Sequence, residues 1–350
     1  MADQPMSALG ARKHHAMKVF RSSVQILSPY LDDPSVQEVM VNRANEVWVE
    51  RKGQIERIEL KLSENEIAGA IKSLAAANGK DAAPILDMRL PGFRIAAVQE
   101  PFSTRGSAIS VRRHMHGVKS LAEYERDGGF DLFDWVDPQE VARPTDAEVA
   151  QGGAHVTRLL QWIVQQRKNL IVVGGTSSGK TTLLNGLLAN IQADQRVLTI
   201  EDTAELQILA PNAVCLEADE KAGIPIRALV KLALRMRPDR IIVGEVRGGE
   251  AYDLLDAMNT GHPGSACSLH ADSPSQGLSR LETLIGMHPD ASNIPHRVIQ
   301  KKIGEAIDFV IFCSRRGSRR GLEQILELNG TDEHGYQTNL IFNARRHKDT

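Results

Sequence analysis

The stretch "NLIVVGGTSSGKTTLLNG", residues 169–186, constrains the fold more than any other part of the chain. A short, continuous apolar run breaks into glycines and hydroxyls, then resumes with leucines at helical spacing. It satisfies G-x-x-x-x-G-K-[ST] with Gly174, Gly179, Lys180 and Thr181, in the strand-loop-helix setting that this pattern needs. Glycines let successive backbone N–H groups converge on phosphate oxygens, and the helix N-terminus adds partial positive charge. Gly174, Gly175, Thr176, Ser177, Ser178 and Gly179 are therefore expected to cradle the phosphates, with Thr182 behind them. Lys180 is expected at the β and γ phosphates, and the Thr181 hydroxyl at Mg²⁺.

From about residue 154, short β-rich runs ("NLIVVGG", "RVLTIED", "RIIVGEV", "ACSLHA") are separated by amphipathic segments. That pattern predicts a mostly parallel sheet with helices on both faces. Upstream, "VQEVMVNRANEVWVERKGQIERIEL" alternates around the turn signals "NRAN" and "KGQ" and predicts an antiparallel meander. "SENEIAGAIKSLAAANG" predicts a helix opened by a capping box, Ser63 and Glu66, and closed by Gly79. "FRIAAVQEPF" and "SAISVRRH" add two strands. The expected division is an N-terminal α+β domain over residues 1–116, a Gly-, Pro- and acid-rich linker over 117–150, and an α/β domain over 151–350.

At 350 residues with 42% hydrophobic and 25% charged, the chain is long enough for two cores. Its formal net charge of -2 excludes a general basic field for DNA. The three cysteines, Cys215, Cys267 and Cys313, form no CxxC pair, so no zinc ribbon or disulfide framework is expected. No signal-peptide core or membrane-length apolar run stands in the sequence. The expected location is cytoplasmic, at most on the inner face of a membrane.

Residues at the ends of the later strands narrow the chemistry. "RVLTIEDTAEL" supplies Glu201, Asp202 and Glu205, carboxylates suited to holding Mg²⁺ or its waters beside a phosphate site. "RIIVGEVRGGEA" ends in Gly244 and Glu245, where many P-loop ATPases carry Asp-Glu. The metal-associated aspartate is thus replaced by glycine, which passes its task to the cluster at 201–205. Glu245 is expected to orient or deprotonate the attacking water. His270 ends the next strand at the carboxyl edge, where ligands bind in such folds, and is expected to sense the γ-phosphate. For His262, in a glycine turn, structural and catalytic readings stand level.

The phosphate loop, acidic box, Gly-Glu strand and "SLHA" box, in this order, resemble the secretion ATPases of the type II/type IV superfamily. The conjugal transfer branch called TrbB, akin to VirB11, is the nearest likeness. It extends over about residues 29 to 342, with "YLDDPSVQEVMVNRANEVWVER" and "LRMRPDRIIVGEVRGGEAYDLLDAMNTGHPG" as its most specific parts. The resemblance implies a RecA-like P-loop ATPase domain at the C-terminus and a smaller N-terminal α+β domain. It also implies ATP and Mg²⁺ as ligands and a homo-oligomeric, hexameric ring working with inner-membrane components of a secretion or conjugation machine. Arg94 and Arg112 match the arginines that the family's N-terminal domain offers to the nucleotide, with Arg113 as alternative to the second; Arg247 is a further candidate. Whether these arginines serve their own subunit or the next stays open.

Two features have plainer readings. "CSRRGSRRGLEQ" reads as a solvated turn between strands, or as a contact for an acidic partner, lipid headgroups or DNA. "ARKHHAMKVFRSSVQIL" reads as a helix packed on its own domain, or as a basic amphipathic helix on a membrane face. The rivals to a conjugation ATPase are an ATPase of a type IV or Tad-like pilus or of type II secretion, a RecA-like motor acting on DNA, and a non-enzymatic nucleotide-gated scaffold. The four-cysteine insertion of the type II version is missing. An aromatic-basic stacking surface for direct nucleic acid binding is missing too.

Overall fold

The computed structural model describes residues 8–77, 83–114, 125–126 and 142–344. In the N-terminal unit, α1 (Ala8–Ser23) and α2 (Ser28–Asp32) lead into β1 (Val36–Arg43), β2 (Glu46–Arg51) and β3 (Gln54–Ile58). Helix α3 (Glu64–Ala77), β4 (Ile85–Leu90), β5 (Phe93–Val98) and β6 (Ala108–Arg113) follow. The strands form one antiparallel sheet in the order β3-β2-β1-β6-β5-β4. The β2–β3 hairpin turns at Lys52 and Gly53, both at positive φ, as a two-residue turn matched to strand twist requires. Ser63 and Glu66 form the expected capping box at the start of α3, while Gly79 lies outside the described residues.

Alternation along the sheet divides it into two apolar faces. Val39, Val41, Ile95 and Ile109 face α1 and α3, meeting Phe20, Ile67 and Leu74 in one core. Ala16, Met17 and Phe20 of α1 are buried there, so its apolar side chains are turned into the protein, and the packed-helix reading holds. Ala96, Val98 and Ala108 face the other way and join the core of the C-terminal unit.

That second unit begins with α4 (Asp146–Val149) and α5 (Ala154–Gln165), followed by β7 (Leu170–Gly174), α6 (Lys180–Leu188), β8 (Val197–Glu201) and β9 (Ala213–Glu217). Next come α7 (Ile226–Ala233), β10 (Arg240–Val243), α8 (Glu250–Asn259), β11 (Ala266–Leu269), α9 (Pro274–Gly286) and α10 (His296–Ala306). The unit closes with β12 (Phe309–Arg316), β13 (Arg319–Asp332) and β14 (Gly335–Asn343). Eight strands form one sheet in the order β14-β13-β12-β7-β11-β10-β8-β9, parallel from β12 to β9, with β13 and β14 antiparallel at one edge. Cores lie on both faces, as the buried apolar runs predict. Of the residues expected in the linker, 117–124 and 127–141 lie outside the described ones. Its end is packed on the second unit, where Arg143 pairs with Glu327 and Asn339 donates to Asp146.

The two units are joined by polar contacts. The loop after β5 lies along β9, with Thr104 N–H donating to the Cys215 carbonyl at 2.9 Å and Glu217 N–H to that of Phe102 at 2.9 Å. This covers what would be an open sheet edge. Arg237 donates to both carboxylate oxygens of Glu50, each at 3.0 Å. The fully buried Arg196 donates to the side-chain oxygens of Asn42 and Asn212. Among the described residues, no helix is long and apolar enough to cross a membrane.

Candidate functional site

Strand β7 lies between β12 and β11, and the chain leaves it at the carboxyl edge through the phosphate loop into α6. Close packing fixes that exit. A β-carbon on Gly174 would collide with the Cys313 carbonyl oxygen and the Ser178 hydroxyl, so only glycine fits. Ser177 and Gly179 hold φ of 57° and 97°, which folds the loop back over the first turn of α6. Lys180 Nζ donates to the carbonyls of Gly174 at 2.9 Å and Gly175 at 3.1 Å, keeping the ammonium on the loop's axis. Burial pushes the Lys180 pKa down, with Glu245 opposing it. The Ser178 hydroxyl is buried and has no hydrogen-bond partner among the described residues, a donor left over in the middle of a phosphate cradle.

A cleft of about 320 Å³ opens beside the loop over the ends of β8, β10 and β11. It is lined by Thr176, Ser177, Lys180 and Thr181 from the loop, by Glu201, Asp202 and Glu205, by Glu245 and Arg247, and by His270. Parallel strands deliver their carboxyl ends to one edge, which is why groups so far apart in sequence converge. Gly175, Gly179 and Thr182 belong to the loop and α6 but do not line this cleft.

The acidic residues divide their work. Glu201 is buried, and its carboxylate accepts N–H bonds from Glu205 at 3.0 Å and from Leu206 at 3.1 Å, pinning the loop after β8. Burial raises its pKa, and those amide bonds only partly offset this. Glu205 instead reaches the phosphate loop, accepting from the Thr181 hydroxyl at 3.4 Å. Asp202 is paired with Arg247.

Arg247 also donates to Glu245 Oε2 at 2.6 Å, and His270 Nε2 stands 3.1 Å from Glu245 Oε1. Burial pushes the Glu245 pKa up, but Arg247 above all, with His270 and Lys180, outweighs it and holds the carboxyl below its ordinary value. The Ser268 hydroxyl donates to the Gly244 carbonyl at 2.6 Å, fixing the strand end that presents Glu245. In the sequence that serine is the first letter of the "SLHA" box, with no role of its own marked there.

The N-terminal arginines lie elsewhere. Arg94 makes two bonds to Asp87, at 2.8 and 2.7 Å, and lines a separate cavity with Arg112, Arg113 and Arg235 at the junction of the units. Arg113 is held by the carbonyls of Leu31, Asp33 and Val36. None of the three lines the cleft of its own chain. His262 precedes β11, at the opposite edge of the sheet from the cleft, with Nδ1 3.2 Å from the Ala257 carbonyl, as a turn-closing residue is placed.

The chain is similar to known proteins. Residues 147–316 match the family described as Type II/IV secretion system protein. The chain is 31% identical over 316 residues to the conjugal transfer protein TrbB of Rhizobium radiobacter, covering 88% of each protein. It is 33% identical over 302 residues to the type IV secretion system protein VirB11 of Brucella suis biovar 1 (strain 1330), covering 81% of this chain and 82% of that protein. The crystal structure of the VirB11 ATPase from the Brucella suis type IV secretion system, in complex with sulphate, superposes with a TM-score of 0.79 at 29% identity. That match covers 90% of this chain and 96% of that one. The chain belongs to the type II/type IV secretion ATPase superfamily, in the branch of TrbB and VirB11.

Proposed function

We propose that this protein is a cytoplasmic, Mg²⁺-dependent ATPase that assembles as a hexameric ring and powers a type IV secretion machine for conjugal DNA transfer and its pilus. The observation that carries the reading is the convergence of Lys180, Thr181, Glu205, Glu245 and His270 on one cleft at the phosphate loop. The match to TrbB along nearly nine-tenths of both chains favours conjugation over the pilus and type II rivals.

In this reading the loop amides and the Ser178 hydroxyl bind the β-phosphate, and Lys180 turns from the loop carbonyls to the β and γ oxygens. Thr181 and Glu205 present hard oxygen donors within 3.4 Å of each other, a set that fits Mg²⁺. The ion, when bound, neutralises charge on the phosphate oxygens. Glu245, ionised at neutral pH, accepts a hydrogen bond from the attacking water and orients it; a carboxylate held below its ordinary pKa is a better orienter than a base. His270 fixes one oxygen of Glu245 and responds to loss of the γ-phosphate. Arg247, on the other oxygen, is placed to swing to the nucleotide.

Ring assembly gives Arg94 and Arg112 their place. They stand apart from the cleft of their own chain, which favours action in the site of a neighbour, with head-to-tail contacts that close. An arginine supplied across such an interface couples hydrolysis to domain movement. Partners at the inner membrane would receive that movement.

The test is genetic. In a host carrying the system, the gene is deleted and restored as wild type, Lys180→Ala or Glu245→Gln, and plasmid transfer to recipients is scored. Transfer that requires the gene and fails with both variants, at normal protein levels, supports the reading. Transfer that persists without the gene removes the conjugation assignment.

A further inference from the structure

The four-arginine turn has no part in the cleft, yet it is not an isolated surface loop. Strands β12 and β13 run on past the carboxyl edge of the sheet, pairing Cys313 with Leu322, Arg315 with Arg320 and Arg316 with Arg319. β12 is bonded to β7 up to the pair Cys313–Gly174, so the extension rises directly beside the phosphate loop. Cys313 and Leu322 pack in the core that lies under α6. Arg320, two residues before Leu322, projects on that same side, whereas Arg319 projects on the other. The Arg320 Cδ lies 4.0 Å from where a β-carbon of Gly179 would stand, and beyond Gly179, its two chain neighbours and its own helix backbone no other heavy atom comes within that distance of the position.

The arginines of this turn differ in their commitments. Arg315 donates to the Gly317 carbonyl at 3.1 Å, and Arg316 pairs with Glu323 at 3.4 Å. The Arg320 guanidinium forms no hydrogen bond or ion pair among the described residues, and the residue is exposed. An arginine with no side-chain partner among the described residues is thus carried by the β12–β13 hairpin to the last glycine of the phosphate loop. It arrives from the β12 side, whereas Glu205, Glu245 and His270 approach from the side of β8, β10 and β11.

We propose that Arg320 is a second cationic contact of the nucleotide, bonding the phosphate at the nucleoside end of a bound nucleoside di- or triphosphate. The inference rests on the reading of the loop as a nucleotide site. The γ-phosphate must lie among the groups that hydrolyse it, so the opposite flank of the loop receives the α-phosphate. Arginine suits that place because its planar fork matches two phosphate oxygens. Such a contact is the same before and after hydrolysis, so it holds ATP and ADP alike and leaves the chemical step untouched.

The experiment measures binding of Mg-ADP by calorimetry and steady-state hydrolysis of Mg-ATP, using the full chain as wild type, Arg320→Ala, Arg320→Lys, Arg319→Ala and Lys180→Ala. Arg320→Ala is expected to raise the Kd for ADP and the KM for ATP by about tenfold with kcat nearly unchanged, as loss of a uniform, charge-assisted contact does. Arg320→Lys, which keeps the charge without the fork, should recover no more than part of that loss, and Arg319→Ala should bind as wild type. Equal Kd values for wild type and Arg320→Ala would overturn the proposal, as would an equal loss in Arg319→Ala, a fall in kcat alone, or full recovery of wild-type binding with lysine. If wild type itself bound no better than Lys180→Ala, the nucleotide-site reading would fall along with it; with wild-type binding intact, any of those failures counts against Arg320 alone.

Discussion

A β-carbon on residue 244 would stand 2.8 Å from Glu201 Cγ and 3.1 Å from its Oε1, so the carboxylate of one strand occupies the space that a side chain on its neighbour would need. This accounts for glycine where many P-loop ATPases carry aspartate. The acid is supplied from β8 instead of β10, and Glu201 uses it to hold the backbone of Glu205 and Leu206. Gly244→Asp should therefore fail to restore a better metal site. It pushes aside a buried, hydrogen-bonded side chain and places a second carboxylate against it, with a loss of about 1–3 kcal/mol of stability from overpacking. Thermal unfolding of purified protein and its hydrolysis rate should both fall; a stable variant with unimpaired turnover would contradict the packing argument.

Lys180 and Glu245 lie in the same cleft, and the proposed mechanism has them act at different stages. On that mechanism Lys180→Ala removes an ammonium that meets the phosphates in ground and transition states, so nucleotide binding itself should weaken. Glu245→Gln keeps shape and the bond to Arg247 while removing the charge that orients water. It should bind Mg-ATP nearly as wild type yet lower kcat by about two to four orders of magnitude. Parallel titrations with a fluorescent ATP analogue and single-turnover assays would separate the two, and loss of binding in Glu245→Gln would refute the assignment.

The phosphate loop, the strand ends and the convergence of Glu205, Glu245 and His270 were legible in the sequence because a parallel sheet sends successive strand ends to one edge. β4 and β9 were harder to read, since "LDMRL" alternates over only five residues in a run bounded by Pro84 and Pro91, and "AVCLE" is short. Arg196 and Asn42 were invisible for a different reason: a buried arginine is stabilised by partners far along the chain, Asn42 lying 154 residues away from it. Glu201 is a middle case, correctly placed at the cleft yet engaged with its own loop, a division that only backbone geometry reveals.

Arg247 makes the strongest of the contacts that hold Glu245 in its ionised form. Removing it leaves burial, which acts upward, opposed only by His270 and Lys180. The Glu245 pKa should rise in Arg247→Ala. In the proposed mechanism hydrolysis needs the carboxylate, so activity is lost as pH falls through that pKa, and the acid limb of the kcat/KM profile should move to higher pH. Profiles recorded for both proteins in one buffer series would show the direction, and a limb that stays in place or moves to lower pH would contradict it.

Glu50 and Arg237 tie the N-terminal sheet to the turn before β10. Both side chains are largely buried, at 17% and 21% exposure, so their bonds are sheltered from solvent screening. Arg237 also pairs with Asp239, which holds its guanidinium in place when Glu50 is absent. Removing either partner leaves the other desolvated, so Glu50→Ala and Arg237→Ala should each destabilise. The double variant should lose less than their sum, with a coupling of about 1–2 kcal/mol. Thermal melts of the four proteins would give that coupling, and limited proteolysis should cut the singles faster between the units. Additive losses would mean that the contact contributes nothing to the junction, leaving it to the network around Arg196, the backbone bonds to β9 and the core shared with Ala96, Val98 and Ala108.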